Sequence, residues 1–310
     1  MMEQSRVSCV SCDAVGNGLG MTSTATKPKP KEHGGVRGVI DARTSDWSVG
    51  LPNPRFIGLQ SPLWNVLLDR YFRMEMDGWE RLPPPPALLI GVHASGMLPI
   101  DAYAFGYQWV RHFPHSRPLH GTAHDFLMAT PGIGHYLRAM GTVPAGRESV
   151  SAALERGHDV IVYPGGDLDS MRPWTRRDKV VLAGRRGFVK QAIRSGVPIV
   201  PVATVGGPDT LPIVTDGRRL AKLLRLDKLT RSQVFPLALG FPLGLAPGII
   251  PQWPLPAKIR TEILKPVSVS SDAERIDDDA YVDRKYREVE RALQSGVDRL
   301  ARKRKFPIFG

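Results

Sequence analysis

Cysteine is almost absent from this chain, which has two among its 310 residues, Cys9 and Cys12. So few cysteines cannot form a disulfide framework, and this is typical of proteins from a reducing compartment. Their Cys-x-x-Cys spacing supplies fewer ligands than a structural zinc site needs, and it follows no predicted strand as a redox motif would. We therefore expect no bound metal and no resident cofactor.

Aromatic residues are also few, at 7% of the chain, and they are scattered along it. Nucleic-acid modules that stack bases need clustered aromatic side chains, so we expect no nucleic-acid partner. Acidic residues are outnumbered, because 42 Lys and Arg stand against 30 Asp and Glu, which gives a net charge of +12. This balance predicts an anionic partner, either a membrane surface with anionic lipids or a phosphate-bearing substrate.

The chain has no apolar run that is both long and unbroken. Its longest uncharged segment, residues 232–257, contains six prolines and three glycines. These residues would repeatedly interrupt a helical hydrogen-bond ladder, so we predict no membrane-spanning helix. Three alternatives stay open for this segment: the lining of an acyl-chain groove, a shallow insertion into one leaflet, or a loop buried on the core.

The first 45 residues are rich in Ser, Thr, Gly and Lys and show no periodicity. They are expected to form a disordered tail. They also lack the apolar core of a signal peptide. With the basic charge, this predicts a peripheral or monotopic protein on the cytoplasmic face of a membrane.

Strand-like and helix-like stretches alternate through residues 85–270, which predicts a single α/β domain with a mostly parallel central sheet flanked by helices. Catalytic groups in such a fold lie on loops beyond the carboxyl ends of the strands. The expected strands are Ala87–Val92, Pro118–Thr122, Thr142–Val143, Val160–Tyr163, Ile199–Val205 and Ile259–Leu264. The expected helices are Asp101–His112, Phe126–Met140, Glu148–Arg156 and Arg185–Arg194.

Two helical regions flank this domain. Residues 46–84 are expected to form an amphipathic N-terminal region with a helix over Pro62–Met76. Residues 271–310 are expected to contain a helix from Asp279 to Arg304 that packs on the domain. Its predicted apolar face consists of Tyr286, Val289, Leu293, Val297 and Leu300.

A histidine follows the first predicted strand and is the first candidate catalytic residue. His93 lies in a turn-prone segment, and its imidazole, with an ordinary pKa of about 6.5, suits a general base. Asp101 follows eight positions later and would fix the tautomer of His93 if it reached the other ring nitrogen. The alternative is that Asp101 only caps the helix that begins near Ala102.

Three further segments carry candidate binding residues. Arg147 follows Gly141 at the junction of a short strand and a helix. Gly165 and Gly166 end a predicted strand in the order Tyr-Pro-Gly-Gly-Asp, with Asp167 and Arg172 behind them. A third segment, residues 197–202, is a strand bracketed by prolines.

In order and spacing these blocks resemble the glycerophospholipid acyltransferase family of the lysophosphatidate acyltransferase type, over residues 60–270. There are two departures: Leu98 stands where the family has an aspartate after the histidine, and Gly165-Gly166 replaces its glutamate-glycine pair. A Pro-Gly-Gly at this place is similar to the diacylglycerol acyltransferase branch.

The resemblance implies transfer of a fatty acyl group from an acyl thioester, acyl-CoA or acyl-ACP, to a hydroxyl of a lysophospholipid or related glycerolipid. His93 would be the base, oriented by Asp101. Arg147 would bind the acceptor's phosphate, Gly165 and Gly166 would bring backbone N–H groups to the substrate, Asp167 would support them, and Arg172 would be a second anion contact. The alternatives are a catalytically silent lipid-binding protein of the same fold and a lipid hydrolase.

Overall fold

The computed structural model describes residues 47–94, 96, 99–114, 116–223, 235–248, 250–304 and 306. The predicted tail, residues 1–45, lies outside the described residues, and so do Cys9, Cys12, Ser95 and Leu98.

Apolar runs rich in Val, Ile and Leu, such as residues 88–91, 159–162 and 199–205, suit strands that are covered on both faces. They form the middle of a central sheet of seven strands. Those strands are β1 (Glu75–Asp77), β2 (Leu88–Gly91), β3 (Leu119–Ala123), β4 (Val143–Pro144), β5 (Asp159–Val162), β6 (Ile199–Val205) and β10 (Arg260–Ile263).

The strand order is β1-β10-β6-β2-β5-β3-β4. Five neighbouring strands, β6 to β4 in that order, are parallel to one another. Strand β10 runs antiparallel to β6, and β1 runs parallel to β10. The predicted fold class, a mostly parallel sheet in one α/β domain, is confirmed.

The helices connect the strands and cover the sheet. They are α1 (Pro54–Val66), α2 (Ile100–His112), α3 (Asp125–Ala129), α4 (Ile133–Ala139), α5 (Arg147–Glu155), α6 (Asp167–Ser170), α7 (Gly187–Ser195), α8 (Gly207–Thr210), α9 (Arg218–Leu223) and α10 (Asp279–Arg302).

Alternate side chains of β2 show how the two faces of the sheet are covered. Leu88 and Ile90 belong to a core cluster that also contains Phe188 of α7 and Leu293 of α10. Leu89, which points to the other face, packs with residues of α2 such as Trp109. Helix α10 buries the predicted face of Tyr286, Val289, Leu293, Val297 and Leu300.

Two predicted helices have different bounds in the structure. The helix expected over Pro62–Met76 begins earlier, at Pro54, continues as a π-helical turn over Leu67–Tyr71, and gives way to strand β1. Arg73 breaks the helical path with a φ of 42°. The helix expected over Phe126–Met140 is two helices, α3 and α4, because residues 131–132 are Pro-Gly and the glycine has a φ of 76°.

The proline-rich segment forms most of a second, three-stranded sheet. Its strands, in the order β7-β8-β9, are β7 (Ile213–Thr215), β8 (Leu237–Gly240) and β9 (Gly244–Pro247). Strands β8 and β9 form an antiparallel hairpin. The alternative of a buried loop is wrong for this hairpin, because Leu239, Phe241 and Leu245 are exposed.

Candidate active site

His93 lies two residues beyond β2, at the carboxyl edge of the parallel strands. Its side chain is 18% exposed, so the ring is neither sealed in the core nor fully solvated. A loop separates it from α2, whose first turn contains Asp101. This loop lets the two residues approach each other although they are eight positions apart.

Asp101 is buried and its Oδ2 atom faces the His93 segment. This oxygen accepts a hydrogen bond from the Ala94 N–H at 3.1 Å and lies 3.4 Å from Nδ1 of His93. The contact to the ring is longer than an ordinary hydrogen bond. A carboxylate only accepts, so the contact favours the tautomer with a proton on Nδ1 and a free lone pair on Nε2. The predicted pair therefore meets.

A second buried carboxylate, Asp169 in α6, holds the backbone of the same residue. Its Oδ2 accepts the His93 backbone N–H at 2.5 Å, and its Oδ1 pairs with Nη1 of Arg172 at 2.6 Å. The same Nη1 donates to the His93 carbonyl at 2.6 Å. One further bond, from Gly96 N–H to the Ser170 carbonyl at 3.1 Å, ties down the next turn of the loop. The backbone of His93 is therefore held on both sides, through its N–H and through its carbonyl oxygen.

Burial raises the pKa of Asp169 to about 6, although Arg172 and the His93 N–H favour the charged form. The carboxyl group thus changes charge within a range that an assay can reach. Tyr163 closes the other side of the histidine, with its ring centroid 4.6 Å from that of His93. Burial, assisted by the nearby charge of Asp101, raises the pKa of this phenol well above its usual value. Tyr163 therefore keeps its proton at neutral pH.

Each glycine of the pair after β5 has its own structural reason: close packing at Gly165 and backbone conformation at Gly166. A Cβ atom at Gly165 would lie 2.0 Å from the Val181 carbonyl oxygen and 2.4 Å from Cβ of Asp169. Gly166 has a φ of 54°, which side chains disfavour. The pair therefore lets α6 approach the sheet closely enough for Asp169 to reach His93. The predicted contact of their N–H groups with substrate stays a prediction.

Arg147 lies at the same edge of the sheet but away from the histidine, whereas Asp167 lies in α6, the helix that also carries Asp169. Arg147 is exposed at the first residue of α5, three residues after the end of β4, and β4 is three strands from β2. At about 4.8 Å per strand this separation is about 14 Å, a distance that an extended lipid acceptor can span. Asp167 pairs with Arg185 at 3.3 Å.

Arg172 requires a correction. The sequence-based expectation of a contact with a substrate anion does not fit its surroundings, since the side chain is buried and all three of its nitrogens donate to protein oxygens. Nη1 bonds to Asp169 and His93, and Nε and Nη2 bond to the Arg177 carbonyl at 3.2 and 3.0 Å. Arg172 is a positioning residue for the His93 loop.

Sequence reasoning missed Asp169 and Tyr163 as members of this site. The signal for Asp169 was its spacing of three from Arg172, which places an acid and a base on one side of a helical turn. Its destination on the His93 backbone depends on packing across the sheet. Tyr163 was visible only as the residue before Pro-Gly-Gly.

Four other histidines of the described residues have structural surroundings. His112 stacks on Trp79 with ring centroids 4.0 Å apart, and the His124 side chain accepts the Phe126 N–H at the start of α3. His120 is buried against His158, and His115 lies outside the described residues. Within the described part of the chain, no group of three or more His, Cys, Asp or Glu is placed to hold a metal ion.

The diacylglycerol acyltransferase family model matches residues 62–270, which contain the whole site. The chain belongs to this family. The resemblance seen in the sequence is thereby confirmed, and membership makes the protein an O-acyltransferase of the glycerolipid type.

Three similar proteins are informative. An uncharacterized protein of Mycobacterium tuberculosis is 29% identical over 94% of this chain and 81% of its own length. Human diacylglycerol O-acyltransferase 2 is 28% identical over 46% of this chain and 38% of its own length. The crystal structure of a 1-acyl-sn-glycerophosphate acyltransferase from Thermotoga maritima aligns with a TM-score of 0.45 and 18% identity, over 79% of this chain and 78% of that one. Among the helices of the described residues, none has the length and apolarity to cross a bilayer.

Proposed function

We propose that this protein transfers a fatty acyl group from an acyl thioester, acyl-CoA or acyl-ACP, to a hydroxyl of a lysophospholipid or related glycerolipid, with His93 as the general base. The observation that carries the proposal is the His93 ring, partly exposed at the carboxyl edge of the sheet with Asp101 at its Nδ1 atom. Diacylglycerol enters as an acceptor class because the related human enzyme carries that name.

In the proposed reaction, Nε2 of His93 takes the proton of the acceptor hydroxyl as the oxygen attacks the thioester carbonyl. The tetrahedral intermediate then collapses, the carbon–sulfur bond breaks, and the thiolate receives the proton from the imidazolium. Asp101 stabilises the imidazolium while it exists. No acyl-enzyme forms, so a single base serves both proton transfers.

The experiment measures the transfer of a labelled acyl group to lysophosphatidate, monoacylglycerol and diacylglycerol, with product analysis. His93→Ala should lower the transfer rate by roughly 10²–10⁴-fold, the range that a positioned general base supplies. The control is His135→Ala, because His135 is an exposed histidine on α4 and should leave the rate unchanged. Transfer by His93→Ala at the wild-type rate would remove the proposal. Release of free fatty acid by the wild-type protein without acceptor would instead identify a hydrolase. Absence of both reactions in wild type, together with binding of the acceptor lipid, would identify a silent lipid-binding protein.

A variant at Arg147 distinguishes acceptors that carry a phosphate from acceptors that do not. If the acceptor carries a phosphate that Arg147 binds, Arg147→Ala should raise KM for lysophosphatidate roughly tenfold or more, because a charge-assisted pair is lost. It should leave KM for diacylglycerol unchanged, because that acceptor has no phosphate. Equal effects on both acceptors would exclude Arg147 as a phosphate contact.

A further inference from the structure

The β8–β9 hairpin carries apolar side chains on its outer face. Leu239 of β8 lies opposite Leu245 of β9, and both are exposed, whereas Ala238 and Ala246 are buried on the other face. The solvated face of an antiparallel sheet normally carries polar side chains. Leucines at these positions indicate that this face meets an apolar environment.

The apolar surface extends beyond the two strands. Phe241 and Trp253 form an isolated antiparallel bridge beside the hairpin turn, and residues 235–257 contain no charged residue. An exposed apolar cluster of this extent is unusual on a water-facing surface. We define the hairpin patch by its six large side chains, each between 41% and 65% exposed: Leu239, Phe241, Leu243, Leu245, Ile250 and Trp253.

We infer that the hairpin patch inserts into the interfacial layer of a lipid bilayer and holds the active site at the membrane surface. The inference rests on the proposed function, because the acceptors of glycerolipid acylation reside in bilayers. The composition of the hairpin patch suits a membrane interface, since Leu and Phe favour the boundary with the acyl chains and Trp is enriched at membrane interfaces.

The depth of insertion is limited by the backbone. β9 is the edge strand of its sheet, and an open edge carries backbone polar groups that hydrocarbon cannot satisfy. Insertion is therefore confined to the side chains, about 5–10 Å into the boundary between headgroups and acyl chains.

The base of the hairpin contacts the loop that carries His93. A Cβ atom at Gly96 would lie 3.5 Å from the carbonyl oxygen of Gly248, the residue that follows β9. From Gly244 to Gly248 an extended chain covers about 14 Å, at about 3.4 Å per residue. A patch held at the boundary of headgroups and acyl chains therefore keeps the His93 loop within about one hairpin length of the lipid headgroups. An acceptor hydroxyl could then reach Nε2 of His93 without leaving the bilayer.

Vesicle flotation tests the assignment with two matched triple variants. The hairpin variant is Leu239→Ser/Leu243→Ser/Leu245→Ser. The control, Leu51→Ser/Leu59→Ser/Leu63→Ser, removes three exposed leucines at and before α1. On vesicles of phosphatidylcholine and phosphatidylglycerol, the hairpin variant should bind roughly tenfold or more weakly than wild type. The control should stay within about threefold of wild type, because its leucines lie outside the patch. Wild-type binding by the hairpin variant, or an equal loss in the control, would overturn the inference.

A local probe covers the case in which the hairpin variant fails to fold. Cys9 and Cys12 are the only cysteines, so a Cys9→Ser/Cys12→Ser background accepts one labelled cysteine. An environment-sensitive fluorophore at Leu243→Cys should brighten and shift to the blue on adding vesicles, whereas one at Ser295→Cys, exposed on α10, should not. A blue shift at position 243 that depends on protein concentration and needs no vesicles would show that a second copy of the chain covers the patch, which overturns the inference.

Two activity measurements separate this inference from the proposed function. His93→Ala should bind vesicles as wild type does. The hairpin variant should lose transfer to an acceptor embedded in vesicles and keep transfer to a short-chain acceptor dissolved in water. If wild type binds through the hairpin but transfers no acyl group, only the proposed function fails. If the hairpin variant acylates both acceptors at the wild-type rate, only the inference fails.

Discussion

At the scale of single residues, two buried carboxylates act on different parts of His93. Asp101 faces the ring at Nδ1, and Asp169 accepts the backbone N–H. Arg172 completes the arrangement by binding both Asp169 and the His93 carbonyl. The position of His93 therefore depends on a buried ion pair whose polar atoms bond to protein. Such a pair is sensitive to truncation, because the remaining charge is left buried without its partner.

The charge of Asp169 should control the acid limb of activity. Its pKa is raised to about 6 by burial, so lowering the pH through that value protonates the carboxyl and weakens its bond to the His93 N–H. We expect the wild-type rate to fall over this range. Asp169→Asn should lower kcat by roughly 10-fold or more at every pH, because a neutral amide cannot pair with Arg172. The measurement is kcat against pH for both proteins.

Glu148→Gln, a change at an exposed acid of α5, is the control and should keep the wild-type profile. If Asp169→Asn kept both the wild-type rate and its acid limb, Asp169 would have no positioning role.

At the scale of elements, helix α10 illustrates how closely the parts of the fold approach each other. Its Gly296 faces β6 and β10, where a Cβ atom would lie 2.7 Å from Cβ of Ala203 and 2.9 Å from Cδ1 of Leu264. The helix is also held by Glu262 of β10, which Arg299 and Arg81 bind at 2.7 Å each. Burial opposes the charge of Glu262, but the two arginines outweigh it and lower its pKa.

Gly296→Ala should destabilise the protein although alanine favours helices by about 1 kcal/mol. The added methyl group overpacks the contact with the sheet, which typically costs about 1–3 kcal/mol. Urea denaturation at neutral pH measures the free energy of unfolding. Ser295→Ala, on the exposed side of the same helix, is the control and should change this free energy by less than about 0.5 kcal/mol. A Gly296→Ala protein more stable than wild type would show that α10 does not sit this close to β6.

At the scale of the whole molecule, the carboxyl ends and the amino ends of the parallel strands carry different kinds of polar residues. The carboxyl edge carries His93 and the groups around it. The amino edge carries buried polar pairs that hold the strands: Asp159 binds Arg117 and the Ala87 N–H, and His120 shares a contact of 2.9 Å with His158. Burial lowers the pKa of both histidines, so both are neutral in the folded protein at pH 7.

This histidine pair should make the protein sensitive to mild acid. A histidine whose pKa is lowered by folding stabilises the folded state fully above its unfolded pKa of about 6.5, and the contribution is lost as the pH falls below that value. The free energy of unfolding should therefore drop between pH 7.5 and 5.5. A His120→Gln/His158→Gln variant should show a shallower drop, measured by urea denaturation at both pH values.

The matched control is His135→Gln, an exposed histidine whose replacement should leave the slope of wild type unchanged. An equal slope in the double variant and wild type would assign the acid sensitivity to other groups.

How far the sequence predicts this protein depends on the range of the interactions involved. The strand Ile199–Val205 and the apolar face of α10 follow from local periodicity, and the structure has both as expected. The extra turns of α1 and the break between α3 and α4 were missed. The hairpin at β8 and β9 was missed because proline and glycine interrupt the alternating pattern by which short strands are recognised.

The amino-acid sequence by itself determined the fold class, the family and the identity of His93 as the leading candidate, because strand periodicity and short motifs are written in neighbouring residues. The tertiary structure alone decided that Asp101 meets the ring, that Asp169 and Arg172 hold the loop instead of a ligand, and that the hairpin leucines face outward. Those outcomes depend on which strands become neighbours and on which face of an element is covered. Contacts of that kind join residues far apart in the chain, such as His93 and Arg172, which are 79 positions apart, and they arise only when the sheet is assembled.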